Sequence, residues 1–265
     1  MWPSTAASPR PRRRWPRWAG WTLLLSGGTA LLLCLRYARD ALAADARFEE
    51  YKARELQYWD EWVREKGFEY WTRMSNRELE DEIKHLIPST FLRHRETIRV
   101  LDAGAGPVTQ LGSVWPGQDL ELHACDVLAD QYATLLSKHD LDPPVRTVAA
   151  DVEELHRAYP RQHFHLVLAN NVLDKTKDPQ RALRSILAAL KPRGTLLIVH
   201  DASTVGSTRR NNLDALWRMR VVDGYPLLAH GSKAVNITAY GNRRGAAVKV
   251  ARKGHTMFIR VIKVV

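Results

Sequence analysis

Three carboxylates and two glycines stand at the ends of apolar runs, and their spacing is typical of a ligand site. Asp102 closes one run and is followed by Gly104 and Gly106. Asp126 and Asp151 close two later runs. Carboxylates accept hydrogen bonds from hydroxyl and amino groups, and glycines let the backbone approach a ligand closely. The pattern predicts a site for a nucleotide-like cofactor, with an enzyme as the consequence.

The carboxylates share one edge if the apolar runs are parallel strands, because ligands bind at the carboxyl ends of such strands. Short apolar runs alternate here with segments of helical periodicity. Strands are predicted over residues 98–103, 120–125, 145–150, 164–169 and 195–200, and helices near 108–115, 128–138, 152–158 and 178–190. Beyond them the pattern predicts a helix over 205–219 and short strands over 227–229, 235–238 and 257–263. The expected class is α/β, with a doubly wound, mostly parallel, Rossmann-like sheet.

The loop after the first strand departs from the dinucleotide-binding fingerprint. In G-x-G-x-x-G the third glycine would fall at position 109, where this chain has Thr109. Pro107 follows the second glycine directly and suits the first turn of a helix. A purely structural turn is the alternative. The sequence argues against a dinucleotide and leaves another nucleotide-like ligand open.

Polar residues at the next strand ends extend the site. Asp126 is placed to accept hydrogen bonds from ribose hydroxyls, and Asp151, with Val152 beside it, to accept from the amine of an adenine. Each acid has a structural alternative as a helix N-cap. Asn170 and Asn171 end the fourth strand, where amides line a pocket or form a plain turn. Four polar loops at one edge are more specific than any one of them.

Net charge separates the N-terminal region from the rest of the 265 residues. The formal net charge is +11, and residues 1–39 contain seven arginines but no Asp or Glu. The rest of the chain is therefore only mildly basic. Because the excess charge flanks an apolar stretch, it favours a membrane-related role over nucleic-acid binding.

Residues 18–35 contain no charged side chain and would rise about 27 Å as a helix, close to the thickness of a bilayer core. They predict a single-pass membrane anchor after a basic tail over residues 1–17. A cleaved signal peptide with a secreted or lumenal product, and a soluble or transit segment, are the alternatives. The arginines on either side of this stretch predict that the N-terminus stays in the cytoplasm and that the body crosses the membrane.

Residues 36–94 are expected to form a helical leader or cap ahead of a domain over 95–265. One helix is predicted over 40–66, and a second over 76–87 that Pro88 stops. Tyr51 and Trp59 share a broad apolar face of the first helix. The leader either packs on the domain or closes an aromatic wall over the site.

The two cysteines, Cys34 and Cys125, lie in unrelated segments and predict no disulfide. They are also too few for the usual zinc spacings, and the ten histidines show no metal-ligand spacing. No metal site is predicted.

Residues 95–201 resemble the class I S-adenosylmethionine-dependent methyltransferases, and more narrowly the type 11 and type 25-like domains. The resemblance rests on the loop after the first strand, Asp126, Asp151, and residues 164–171 and 178–196. It implies S-adenosylmethionine as cofactor. Its methionine part would contact Asp102, Gly104 and Gly106, its ribose Asp126, and its adenine Asp151. Val152 and Asn170 are further expected cofactor-binding residues.

The chain departs from the family pattern at two positions. Val108 stands where a third glycine is usual, and Arg193 replaces the first glycine of a Lys-Pro-Gly-Gly turn. The first change makes the loop less permissive, and the second falls at a surface turn. Neither removes the site.

Methyl transfer from this cofactor requires alignment above all, and a base only if the acceptor must lose a proton. The candidates for a base are His200, Asp201 and Asp174, each of which also has a structural explanation. The first hypothesis is a membrane-anchored methyltransferase for a small-molecule, lipid or cell-surface acceptor. The second is an inactive cofactor-binding scaffold or sensor. A nucleic-acid or protein methyltransferase is the third, weakened by the location of the charge.

Overall fold

The computed structural model describes residues 18–74, 77–93, 96–201 and 216–264. The chain divides into two compact units, residues 1–46 and 47–265. The helices are α1 (Trp18–Trp62), α2 (Phe68–Met74), α3 (Asp81–Lys84), α4 (Ser89–Leu92), α5 (Ala129–Lys138), α6 (Pro179–Ala189) and α7 (Ile237–Asn242). A π-helical turn spans Val63–Gly67, and 3₁₀ turns span Val152–Arg157 and Leu173–Lys175.

The described residues of the second unit contain ten strands, which form two sheets. They are β1 (Ile98–Ala103), β2 (Leu120–Asp126), β3 (Thr147–Ala149), β4 (Phe164–Asn170), β5 (Leu190–Asp201), β6 (Arg218–Val222), β7 (Tyr225–His230), β8 (Lys233–Asn236), β9 (Ala246–Lys253) and β10 (Thr256–Lys263). Seven of them make one sheet in the order β3-β2-β1-β4-β5-β10-β9, and β6, β7 and β8 make a small antiparallel sheet.

Strands β1 to β5 of the large sheet run parallel, while β10 is antiparallel to both β5 and β9. The predicted mostly parallel α/β sheet is confirmed. The chain order reverses between β1 and β4, which are direct neighbours. In open α/β sheets such a reversal opens a crevice at the carboxyl ends of the strands, where ligands bind.

Both faces of β1 and β4 are covered, which explains why these strands read as nearly continuous apolar runs. On one face Leu101 and Val167 belong to the core that contains Ile186 of α6. On the other, Val100 and Leu166 pack in a cluster with residues of the leader segment, Leu79, Ile83 and Ile87. This packing holds the ends of β1 and β4 rigidly at the crevice.

The predicted helix over residues 108–115 is wrong. The segment follows turns and pairs with the leader instead, through a parallel bridge between Glu78 and Val114. The backbone N–H of Leu79 donates to the carbonyl of Val114 at 2.8 Å. A Cβ on Gly112 would lie 2.0 Å from the Glu78 carbonyl oxygen, so glycine is what permits this approach. Long-range pairing with the leader replaces local helical hydrogen bonds here.

Other predicted elements need smaller corrections. The prediction missed β9, and β5 begins earlier than expected because Lys191–Gly194 belongs to the strand. The predicted helix over 205–219 falls mostly outside the described residues, and its last two positions belong to β6. The predicted second leader helix contains only the short α3.

Within the part of the chain that the structure describes, no helix is long and apolar enough to cross a membrane. The anchor predicted over residues 18–35 is therefore not supported. These residues form the first part of α1, which continues without interruption to Trp62. The basic tail over 1–17 lies outside the described residues.

Candidate active site

A cavity of about 500 Å³ lies at the carboxyl ends of β1, β2, β4 and β5. Its volume is within the range of roughly 300–1,000 Å³ that is usual for small-molecule sites. The end of α1, from Phe48 to Glu61, lines the same cavity. All ten residues singled out from the sequence line it: Asp102, Gly104, Gly106, Asp126, Asp151, Val152, Asn170, Asp174, His200 and Asp201. The fold therefore brings the predicted site together.

The loop after β1 has two glycines with positive φ angles, +74° at Gly104 and +68° at Gly106. A Cβ on Gly104 would lie 2.4 Å from Cγ2 of Val172, and one on Gly106 would lie 2.9 Å from Cζ2 of Trp59. Both the backbone angle and the available space thus require glycine. The loop presents bare backbone to the cavity.

Asp102 is almost fully buried at the end of β1. Its Oδ2 accepts a hydrogen bond from Thr109 Oγ1 at 2.6 Å and a longer one from the Gln110 backbone N–H at 3.4 Å. Burial raises the pKa of Asp102 to about 6, and these two hydrogen bonds only partly oppose the increase. A carboxylate held at this cost in free energy indicates a binding role more than a structural one.

Asp126 links the β1 loop to the end of β2. Its Oδ2 accepts from the Gly106 N–H at 3.1 Å, and its Oδ1 accepts from the Leu128 N–H at 2.9 Å. Burial raises the pKa of Asp126 despite these hydrogen bonds. Each oxygen keeps a second lone pair for a ligand, so the structural and the binding interpretation are compatible.

Asp151 caps the 3₁₀ turn that starts at Val152, because its Oδ1 accepts from the Glu153 N–H at 2.8 Å. The alternative of an N-cap is therefore realised, with the side chain still on the cavity wall. Glu153 lies just behind, where its Oε1 accepts from the backbone N–H groups of Lys177 and Asp178. This network ties the β3 loop to the segment before α6.

Asn170 and Asn171, at the end of β4, hold the cavity wall near β4 and β5 through side-chain hydrogen bonds. Asn170 donates from Nδ2 to Gln110 Oε1 at 3.1 Å. Asn171 has a φ of +52°, and its Oδ1 accepts from the Asp201 N–H at 2.9 Å. The Asn171 side chain thus fixes the position of Asp201 at the end of β5.

Asp174 and His200 come together although they follow different strands. Both are buried, and Asp174 Oδ1 lies 4.0 Å from His200 Nδ1. Among the described residues Asp174 Oδ1 has no hydrogen-bond partner. The sequence singled out both residues but gave no reason to pair them.

The leader supplies a wall with a charge pair that the sequence analysis missed. Lys175 Nζ donates to Glu55 Oε1 at 3.2 Å, and Trp59 Nε1 donates to the same oxygen at 3.1 Å. Burial alone would lower the pKa of Lys175, but Glu55 and Asp174 outweigh it and raise that pKa. Lys175 Nζ also lies 5.6 Å from the centroid of the Tyr51 ring. Tyr51 and Trp59 line the cavity, and the ion pair between Lys175 and Glu55 joins this part of the leader to the turn after β4.

Comparison with known families identifies the class of protein. A model of the methyltransferase domain family matches residues 70–234, which is more than half of the chain. The chain belongs to this family. The match agrees with the predicted class and with S-adenosylmethionine as the cofactor.

Solved structures give weaker likenesses. A methyltransferase from Aquifex aeolicus is 15% identical over 69% of this chain and 97% of its own, with a TM-score of 0.43. The 1,6-didemethyltoxoflavin-N1-methyltransferase of Burkholderia thailandensis, solved with S-adenosylhomocysteine, is 19% identical over 82% and 90%, with a TM-score of 0.45. The CurJ carbon methyltransferase is 18% identical over 64% of this chain, which spans only 50% of that protein, with a TM-score of 0.46. No curated protein matches the sequence.

Proposed function

We propose that this protein transfers a methyl group from S-adenosylmethionine to a small-molecule acceptor bound between the β4 and β5 ends and the leader wall. One observation carries the proposal: the acids that end β1 and β2, the acid that follows β3 and the two required glycines line a single cavity. Family membership supplies the reaction class. The covering by α1 favours an acceptor small enough to fit beneath that helix.

The residues of the cavity fit this cofactor. The β1 loop keeps its backbone bare beside the cavity, because a Cβ at Gly104 would collide with Val172 and one at Gly106 with Trp59. Asp102 would hold the methionine part, Asp126 the ribose and Asp151 the adenine, as the family resemblance implies. Bound there, S-adenosylmethionine supplies a methyl group attached to a positively charged sulfur. The protein's task is then to align the acceptor and to exclude water.

Replacing Asp126 by Asn tests the cofactor site. Asn offers one oxygen where Asp126 uses two, so either the Gly106 or the Leu128 N–H would face an amide NH₂ instead. Losing a charge-assisted hydrogen bond costs about 1.5–3 kcal/mol, so we expect affinity for S-adenosylhomocysteine to fall at least tenfold. Isothermal titration of the full chain measures this.

Asp130→Asn is the matched control, because Asp130 is exposed on α5 outside the cavity. It should bind S-adenosylhomocysteine like the wild type. Absence of binding by the wild type would refute the proposal. Tight binding without transfer of a labelled methyl group to any acceptor in a broad panel would instead favour a scaffold or sensor.

The membrane location and the side of the membrane that carries the domain stay predictions. Protease protection of the full chain in intact cells tests them directly. Digestion of the domain only after the membrane is opened would support a lumenal or external body. Recovery of the whole chain from the fraction without membranes would contradict a membrane location.

A further inference from the structure

Near the ends of β4 and β5, the cavity wall contains a carboxylate with one oxygen that accepts no hydrogen bond from the described residues. Asp174 is 3% exposed, and the Trp217 N–H donates to its backbone carbonyl at 2.8 Å, which fixes the chain there. Its Oδ1 is buried and has no hydrogen-bond partner within the described residues. An unsatisfied buried acceptor costs about 1–3 kcal/mol. Such a cost, in a wall of the cavity, points to a use that the ligand-free arrangement does not show.

The imidazole of His200 is a group able to satisfy this oxygen. The distance of 4.0 Å between Asp174 Oδ1 and His200 Nδ1 exceeds that of a hydrogen bond by about 1 Å. Contacts of this kind in ligand-free active sites are often long and tighten when substrate binds. His200 itself is fixed by β5, where it pairs with Met257 of β10. A small movement of the 3₁₀ turn containing Asp174 would therefore close the contact.

The charges around the cavity restrict what can bind beside these two residues. Among the described residues that line it, eight are acidic and two, Arg54 and Lys175, are basic. Lys175 is already engaged with Glu55. A carboxylate or phosphate on the acceptor would meet a mostly negative wall, which disfavours anionic acceptors.

We propose that His200 takes the proton of the acceptor and that Asp174 positions its ring, so that the acceptor is a neutral hydroxyl or N–H compound. Asp174 accepts from Nδ1–H, which leaves the lone pair of Nε2 for the acceptor. The acceptor's proton passes to Nε2, and an electron pair of the acceptor's oxygen or nitrogen forms the bond to the methyl carbon. The electron pair of the broken carbon–sulfur bond stays on sulfur. The inference rests on the proposed function and names its acceptor class.

Nitrogen NMR of the full chain, labelled at histidine and saturated with S-adenosylhomocysteine, tests the positioning without any acceptor. In the neutral imidazole of His200 we expect the proton on Nδ1, and the signal is identified by its loss in His200→Gln. In Asp174→Asn the side-chain NH₂ competes for the same position, so the proton should move to Nε2. A merely structural Asp174 would not change the tautomer.

Asp201→Asn is the matched control, because Asp201 adjoins His200 and lines the same cavity. It should leave the tautomer on Nδ1. A wild-type His200 protonated on Nε2, or a tautomer that responds to Asp201→Asn and not to Asp174→Asn, would overturn the assignment. A wild-type proton on Nε2 would overturn the assignment even if Asp174→Asn fails to fold.

Kinetics then separate the two residues from the cofactor site. With phenol-type and amine acceptors, His200→Gln should lower kcat by about 10²–10⁴-fold with little change in KM. Its affinity for S-adenosylhomocysteine should stay within twofold of the wild type. Normal cofactor binding with unchanged kcat would refute this inference alone, whereas loss of binding by the wild type would refute the proposed function.

Discussion

Replacing Gly104 by alanine will lower the free energy of unfolding by roughly 2–4 kcal/mol and weaken S-adenosylhomocysteine binding at least tenfold. An alanine is strained at the positive φ of +74°, and its Cβ would lie 2.4 Å from Val172 Cγ2. Real Cβ atoms do not approach so closely, so the loop or Val172 must move. Either movement displaces the backbone that faces the cofactor. Urea unfolding and calorimetric titration measure the two effects.

Two variants separate strain from collision. Gly117 has a similar φ of +79° but nothing within 4 Å of its Cβ position, so Gly117→Ala should cost only about 1–2 kcal/mol and leave binding intact. Adding Val172→Ala to Gly104→Ala should restore part of the lost affinity. Equal stability losses in the Gly104 and Gly117 variants would show that space around the loop is not limiting.

Replacing Asp102 by Asn will stabilise the ligand-free protein by about 2 kcal/mol at pH 8 and weaken cofactor binding at least tenfold. The folded pKa of Asp102, about 6, is above the ordinary value of 3.8, so folding disfavours its charge. Asn removes that cost while keeping an oxygen for the Thr109 hydroxyl. The same change removes the negative charge that the methionine end of the cofactor would meet.

The pH dependence has a defined sign. The folded protein keeps the Asp102 proton up to a higher pH than the unfolded chain does. Protonation of Asp102 therefore stabilises the folded protein, and this contribution is complete below pH 3.8. It is lost as the pH rises through about 6, by roughly 3 kcal/mol in total. Burial also raises the pKa values of Asp126 and Glu153. These two groups therefore make the free energy of unfolding fall with rising pH in both the wild type and the Asp102→Asn variant.

Urea unfolding at several pH values between 4 and 8 measures this difference. The free energy of unfolding of the variant should exceed that of the wild type by more as the pH rises. In titrations with S-adenosylhomocysteine, the wild type should bind more tightly than the variant. Parallel stability curves would mean that Asp102 titrates normally. Unchanged binding by the variant would remove Asp102 from the cofactor site.

The strands and the polar loops could be predicted because their signals are local. The β1 strand was predicted over 98–103 and forms over Ile98–Ala103, since an apolar run, an acid and two glycines mark both its burial and its end. Parallel strands then place Asp102, Asp126 and Asp151 at one edge without further information. The residues proposed to bind the cofactor could therefore be selected from the sequence alone.

The acceptor side depended on contacts between distant segments. Lys175 and Glu55 are 120 positions apart, and neither side chain carries a sign of its partner. The helix expected over 108–115 failed for the same reason, because Leu79 and Val114 exchange backbone contacts that local periodicity does not encode. Strand β9 was not predicted because it is an edge strand whose residues are mostly exposed, so burial imposes no clear alternating pattern on its sequence.

The order in which the leader and the strands are synthesised has a consequence for folding. The leader wall, with Tyr51 and Trp59, leaves the ribosome before any strand of the sheet against which it packs. Strand β5, which carries His200, gains its antiparallel neighbour only when Thr256–Lys263 has been synthesised. The Trp59 ring therefore stays uncovered until the residues it packs against, Val108, Leu135, Leu136 and Leu141, have been synthesised. Nascent copies of this protein are the ones that most need a chaperone to cover that ring.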